Sequence, residues 1–242
     1  MTSLLFPTDF STSTTATLDW VRLFARKTGA TITLLHVYQP MVPDSTLPTI
    51  GDPGIGVMAS QGLEDIGRQQ LDKLATQLQT EGLSVQVDWR VGSVEDSILE
   101  AAREYRSDLI VMGRSELSTF FDRLAGSAVT DVAGEANCPV LIVPVAAEGE
   151  VARPVQVRSI VYAMQPQTTQ SLITFQTESL LKAFDAQLDV LTEDELDTIH
   201  ADLVVMQLYP KAGFLDGLLH PNHVAQLVEK SNLPLLIYHE QK

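Results

Sequence analysis

Three segments of this 242-residue chain recur in the same order, and that repetition constrains its fold more than any other feature. SLLFPTD at 3–9 is matched by SIVYAMQ at 159–165, DLIVM at 108–112 by DLVVM at 202–206, and NCPVLI at 137–142 by NLPLLI at 232–237. Each matched core is a short run of Leu, Ile and Val, the composition of a strand buried on both faces of a parallel sheet. Helical patterns separate the runs, so the chain reads as a succession of βαβ units.

The first half carries five such strands, at 4–6, 30–37, 85–91, 108–112 and 139–143. Ser11, Thr12 or Ser13 can cap a first helix bearing Leu18, Val21, Leu23, Phe24 and Ala25, which Gly29 stops. Further helices are expected at 63–80, from Ser93 to Tyr105 with Asp96 in a capping-box arrangement, and from Ser127 to Ala136. Residues 39–60 hold four prolines and three glycines without periodicity and read as a lid or a mobile insertion. A linker follows at 146–154, dividing a domain at 1–146 from a second at 155–242. The second unit has a helix near 169–183, a strand at 188–191 and a short helix after Glu193, Asp194 and Glu195. Far fewer residues separate its first two matched segments than in the first unit. One strand and one helix are missing, which leaves four strands.

A formal charge of -15 argues against nucleic acid as a partner, because a polyanion needs clustered Lys and Arg to displace its counterions. The acid is spread along the chain, with 10 basic and 20 acidic residues through residue 150 and 6 and 11 after it, and it serves solubility. The single cysteine, Cys138, allows no intrachain disulfide and fits a reducing compartment. Pro7 and Asp9 interrupt the first apolar stretch, so no signal peptide is expected, and no apolar run approaches the roughly 20 residues that span a bilayer. A soluble cytoplasmic protein without a membrane partner is the expectation.

Enzymatic motifs are missing. Neither a Gly-x-Ser-x-Gly elbow nor a Gly-x4-Gly-Lys-Ser/Thr loop occurs. His220 and His223 stand at a spacing that zinc sites use, with Asp216 nearby, but the chain supplies too few obvious further ligands. Two solvent-facing histidines are the simpler reading. His36, inside an apolar strand, reads as structural, and Cys138 reads as a small core residue.

Open parallel sheets bind ligands beyond the carboxyl ends of their strands, where the strand order reverses. With the order 3-2-1-4-5, that crevice lies between the first strand, ending at Thr8 and Asp9, and the fourth, ending at Gly113 and Arg114. The loop from Gly113 to Gly126 would lead to a helix whose free N–H groups suit an anion.

FPTDFS at 6–11, LLHV at 34–37, DLIVMG at 108–113, and Gly126-Ser127 followed by CPVLIV at 138–143 together resemble the universal stress protein family. The resemblance covers nearly all of residues 1–145, and the second unit resembles a degenerate, shortened member in tandem. It implies two Rossmann-like α/β domains and a non-catalytic stress-response protein whose first domain holds ATP, ADP, AMP or a related small ligand. Nucleotide-binding members carry a Gly-x-x-Gly-x9-Gly-Ser/Thr loop. Carried over, the implied binding residues are Pro7, Thr8, Asp9, Val37, Met112, Gly113, Arg114, Glu116, Gly126, Ser127 and Ala128. The resemblance also implies pairing of the two last strands into an intrachain pseudo-dimer. It leaves room for a homodimer of the whole chain and a signalling partner that the sequence does not name.

Glu116 departs from the pattern by replacing the loop's second glycine. A left-handed backbone there would cost a non-glycine residue roughly 1–2 kcal/mol. A carboxylate about 4 Å from a phosphate would add up to roughly 4 kcal/mol of repulsion at an effective dielectric of about 20. Together these weaken binding by about one to four orders of magnitude, and Arg114 and Arg123 would offset part of it. An interaction or scaffold protein with no nucleotide bound is therefore the alternative. In the second unit Gln165 stands for Asp9, Gln207 or Leu208 for Gly113, and Pro221-Asn222 for Gly126-Ser127, so no second nucleotide site is expected.

Overall fold

The computed structural model describes residues 1–11, 13–39, 53–114, 120–144, 155–164, 175–192, 201–208 and 233–239. Their elements run β1 (Ser3–Pro7), α1 (Ser13–Thr28), β2 (Thr31–Tyr38), α2 (Pro53–Thr80), β3 (Val85–Val91), α3 (Val94–Glu104), β4 (Leu109–Arg114), α4 (Phe120–Glu135) and β5 (Val140–Pro144). After these come β6 (Ser159–Met164), α5 (Phe175–Phe184), β7 (Gln187–Thr192), β8 (Leu203–Leu208) and β9 (Leu235–His239).

All nine strands lie in one sheet of order β3-β2-β1-β4-β5-β9-β8-β6-β7. Every neighbouring pair is parallel except β5 and β9, which run antiparallel with Leu141 opposite Leu236. The first five strands thus take the expected order 3-2-1-4-5. Among the described residues the last four take a corresponding order with no counterpart of β3, and the two sets join along β5 and β9.

The crossover direction reverses after β3, so right-handed connections place α1 and α2 on one face and α3 and α4 on the other. One core gathers Leu4, Phe6, Ile32 and Leu34 of the sheet with Val21 and Phe24 of α1 and Leu71 and Leu78 of α2. The other gathers Leu5, Leu35, Ile110 and Ile142 with Ile98 of α3 and Val132 of α4. Alternate residues of each strand feed opposite cores, which is why these strands carry unbroken apolar runs. Helix α1 buries Leu18, Val21, Phe24 and Ala25, a 3.6-residue stripe, and ends where Gly29 turns left-handed at φ 70°. At α3, Ser93 caps the helix as expected, its hydroxyl accepting from the Asp96 N–H at 3.3 Å.

The recurring segments make the same bonds in both halves. The Asp108 carboxylate, at the amino end of β4, accepts from the backbone N–H groups of Thr2 and Ser3, and its own N–H donates to the Ser3 carbonyl at 2.9 Å. Asp202 does the same before β8, accepting from Arg158 at 2.8 Å and Ser159 at 3.1 Å and donating to the Ser159 carbonyl at 2.9 Å. Pro139 and Pro234 likewise offer their carbonyls to Ile110 and Val204, each at 2.9 Å. The repeated aspartates and prolines are thus the residues that fix strand neighbours.

Two boundaries differ from the sequence expectation. Helix α2 starts at Pro53, so residues 53–60 are helical rather than part of a structureless insertion. Proline is tolerated in a first helical turn, and an established helix extends at low cost through weak formers. Helix α4 starts at Phe120, not near Ser127, which places Gly126 and Ser127 inside it. Gly126 suggests a boundary, but a glycine inside a helix costs only about 1 kcal/mol, and Arg123, Leu124 and Ala125 ahead of it are good helix formers. The short helix expected after Glu193 lies outside the described residues.

Burial alone would raise the pKa of the Asp108 carboxyl, but the N–H donors of Thr2 and Ser3 outweigh it and hold it below the usual carboxylate range. A lowered folded-state value gives stability that is present above the unfolded-chain value and lost as pH falls through the folded one. Asp108→Asn should therefore cost about 1 kcal/mol in urea unfolding at pH 7, at the low end for charged hydrogen bonds because the residue is exposed. The gap to the unsubstituted protein should close below about pH 4. Equal unfolding midpoints at pH 7 would contradict the bridge.

Candidate functional site

Strand β1 pairs with β2 along its full length, from Ser3 opposite Thr31 to Pro7 opposite Leu35. Against β4 it pairs only at Leu4–Leu109 and Leu5–Ile110, although β1 runs on to Pro7 and β4 to Arg114. The two strands part toward their carboxyl ends. Helices α1 and α4, which follow β1 and β4, pack on opposite faces of the sheet, and the order reverses between these two strands, the place where open parallel sheets take ligands.

Seven of the eleven candidate residues meet at this end of the sheet. Pro7 closes β1, Thr8 is buried behind it and Asp9 is exposed beyond. Val37 lies half-buried near the end of β2, packed against the α3–α4 core. Met112 is buried, and Gly113 and Arg114 end β4 opposite Val143 and Pro144 of β5. Ala128 is buried within α4, and Gly126 and Ser127 belong to the same helix. Glu116 lies outside the described residues, as do His220 and His223.

The turn that carries Asp9 is tied down on both sides. The Thr8 N–H donates to the Leu35 carbonyl at 2.9 Å, extending the β1–β2 ladder. The Thr8 hydroxyl accepts from the Phe10 N–H at 3.1 Å, and the Thr8 carbonyl accepts from Nδ1–H of His36 at 2.7 Å. Because a carbonyl only accepts, the ring proton on Nδ1 is assigned by this bond. One Asp9 oxygen accepts from the Ser11 N–H at 2.9 Å, an Asx turn that leads into α1.

Sequence reasoning missed the aromatic support beneath this turn. Phe10 stacks on His36 with centroids 4.7 Å apart, His36 lies 4.9 Å from Trp89, and Trp89 lies 6.1 Å from Tyr38. Arg68 of α2 sits 4.5 Å over the indole, a cation–π contact. The helix approaches so closely that a Cβ on Gly67 would lie 2.7 Å from the Trp89 ring. The available signal was periodicity: His36 and Tyr38 share a face of β2, Trp89 shares it on β3, and His36 pairs directly with Trp89.

The second half differs at the matching place. Gln207 stands as far after Asp202 as Gly113 does after Asp108, and its side chain is 8% exposed. An amide there occupies space that a glycine leaves open.

The sequence pattern of the universal stress protein family matches residues 1–144. The chain belongs to the universal stress protein family. A universal stress protein of Methanocaldococcus jannaschii is 31% identical over 110 residues, which span 45% of this chain and 64% of that one, less than two thirds of it. One of Thermus aquaticus is 31% identical over 121 residues, spanning 49% of this chain and 81% of that one. Among solved structures, a universal stress protein from Archaeoglobus fulgidus superposes with a TM-score of 0.64 at 15% identity, covering 98% of this chain and 96% of that one. A functionally unknown Pseudomonas aeruginosa protein gives 0.63 at 14% identity over 99% and 92%. At these identities the likeness is one of fold.

Other reactive groups of this family member are quiet. Burial pushes the Cys138 thiol up to about 12, with the Asp108 charge adding to the effect. Burial also lowers the proton affinity of His239, whose Nε2–H donates to the Ala133 carbonyl at 2.9 Å. Among the described residues no group of three or more His, Cys, Asp and Glu could hold a metal ion, and no helix is long and apolar enough to cross a membrane. Native protein at pH 8 should react with iodoacetamide at least about tenfold more slowly than urea-unfolded protein, because only the thiolate attacks. Equal rates in mass spectrometry would contradict the burial of Cys138.

Proposed function

We propose that this universal stress protein binds an adenine nucleotide, or a related small ligand, in the crevice between β1 and β4 and performs no chemistry on it. The observation that carries the reading is the parting of these strands beyond Leu5 and Ile110, with Asp9 on one tip and Gly113 on the other. Asp9 offers a carboxylate to ribose hydroxyls, the Val37 backbone can read an adenine edge, and Gly113 lets a ligand approach the main chain. Gly126 and Ser127 lie inside α4, beyond its first four residues, so their N–H groups belong to the helix ladder and the free N–H groups expected at this point of the sequence are not theirs.

In this reading residues 1–146 are the ligand-binding domain, and 155–242 are a shortened copy that acts as structural partner. Support comes from the repeated aspartate and proline bonds and from the β5–β9 seam. Ligand occupancy would be sensed by a signalling partner in the cytoplasm. A second reading, an interaction protein with no nucleotide, is favoured by one residue, Glu116, which stands where the family pattern has its second glycine.

Thermal unfolding separates the two. Saturation to about 100 Kd with ATP, ADP or AMP adds about 2.7 kcal/mol, a rise of roughly 5–10 °C for a chain of this size. Asp9→Ala should remove most of that rise, and Glu116→Gly should tighten binding by about tenfold or more. No response in the parent with one in Glu116→Gly would favour the interaction protein. Phosphate release by the pure protein would overturn the absence of chemistry.

A further inference from the structure

The geometry points to His36 and Phe10 as positioning residues that hold Asp9 in its ligand-facing conformation. The inference rests on reading the crevice as a ligand site, and it adds how that site is kept in shape.

Three non-glycine residues with positive φ occur among the described residues: Phe10 at 61°, Arg106 at 47° and Asp185 at 53°. Arg106 and Asp185 lie just past the ends of α3 and α5, where a left-handed residue is the ordinary way to finish a helix. Phe10 has no such explanation, since it precedes α1. A bulky side chain held there is over-determined by its surroundings, and such strain collects where a backbone must be aimed.

His36 supplies the restraint. Its Nδ1–H holds the Thr8 carbonyl at 2.7 Å, before Asp9, and its ring face stacks on Phe10 at 4.7 Å, after Asp9. One imidazole therefore grips both neighbours of the carboxylate. Trp89 flanks the ring at 4.9 Å on the adjoining strand, and α2 passes close by at Gly67. The Thr8 hydroxyl closes the turn by accepting from the Phe10 N–H. Asp9 itself remains exposed, with one oxygen on Ser11. The strand, the imidazole and the left-handed phenylalanine thus fix where the carboxylate starts, before any ligand arrives.

Two substitutions split the roles of the imidazole. His36→Phe keeps a stacking ring and loses the donor, whereas His36→Asn keeps an N–H close to the Nδ1 position and loses the ring. Calorimetric titration of the full chain with ATP should show about tenfold weaker binding for His36→Phe, which loses the bond, and about threefold weaker binding for His36→Asn, which loses the stack. Placed on Asp9→Ala, His36→Phe should cost nothing further, because its effect passes through Asp9. An equal loss on both backgrounds, or none on either, overturns the inference.

Hydrogen exchange on nucleotide-free protein gives a readout that does not need ATP. In His36→Phe the Phe10 and Ser11 amides should exchange about tenfold faster, with the Leu4 and Leu5 amides unchanged. Should His36→Phe fail to fold, Phe10→Gly removes the stack while relieving the left-handed strain, and it should speed Ser11 exchange without lowering the melting temperature. Unchanged Ser11 exchange in the folded variants overturns the positioning role even if ATP binds. A parent chain without ATP affinity, combined with faster exchange in the variants, would instead end the nucleotide reading and leave the positioning intact.

Discussion

Asp108 joins two strands that lie about a hundred residues apart in the chain, through the backbone N–H groups of Thr2 and Ser3, at the start of β1, that reach its carboxylate. That bridge sits at the amino ends of β1 and β4, and only two residue pairs follow it before the strands separate. Everything proposed for the opposite end depends on this arrangement. A carboxylate is well suited to the task because it accepts several N–H bonds at once, and a charged acceptor makes each of them stronger. The crevice is therefore built from the far end of the sheet: fixed at the bottom, free at the top.

The second half uses the same bridge at Asp202 and comes to a different end. Among the described residues its outer strand is β7, and Gln207, at the position that matches Gly113, puts a buried side chain near the end of β8. The Asp202 bonds and the Gln207 side chain lie at opposite ends of β8. The antiparallel seam between β5 and β9 joins the two sets of strands. It pairs what would otherwise be an apolar edge at Val140, Leu141 and Ile142.

Much of this was legible in the sequence, and for a definite reason. Buried parallel strands need continuous apolar runs, so DLIVM and DLVVM announce themselves, and their flanking aspartates and prolines mark the bridges between strands. The strand order, the missing strand and the cluster of Asp9, Val37 and Gly113 at one end follow from those runs and from the family resemblance. Helix starts were less readable. Gly126 looks like a stop, and the glycines at 54 and 56 look like loop, yet both lie inside helices whose neighbouring residues carry them. The stack of Phe10, His36 and Trp89 was hidden because it depends on which residues of β2 and β3 face one another and on how the turn after β1 lies over them. Register fixes that, and a single strand's pattern does not contain it.

The central claim, that an adenine nucleotide sits between the tips of β1 and β4, is most directly tested by photolabelling the full chain with 8-azido-ATP and mapping the labelled peptides. The account predicts saturable label, suppressed by excess ATP, on peptides that carry Asp9, Val37 or Gly113. Label concentrated on peptides from β6 to β9, or label that excess ATP does not suppress, would contradict it.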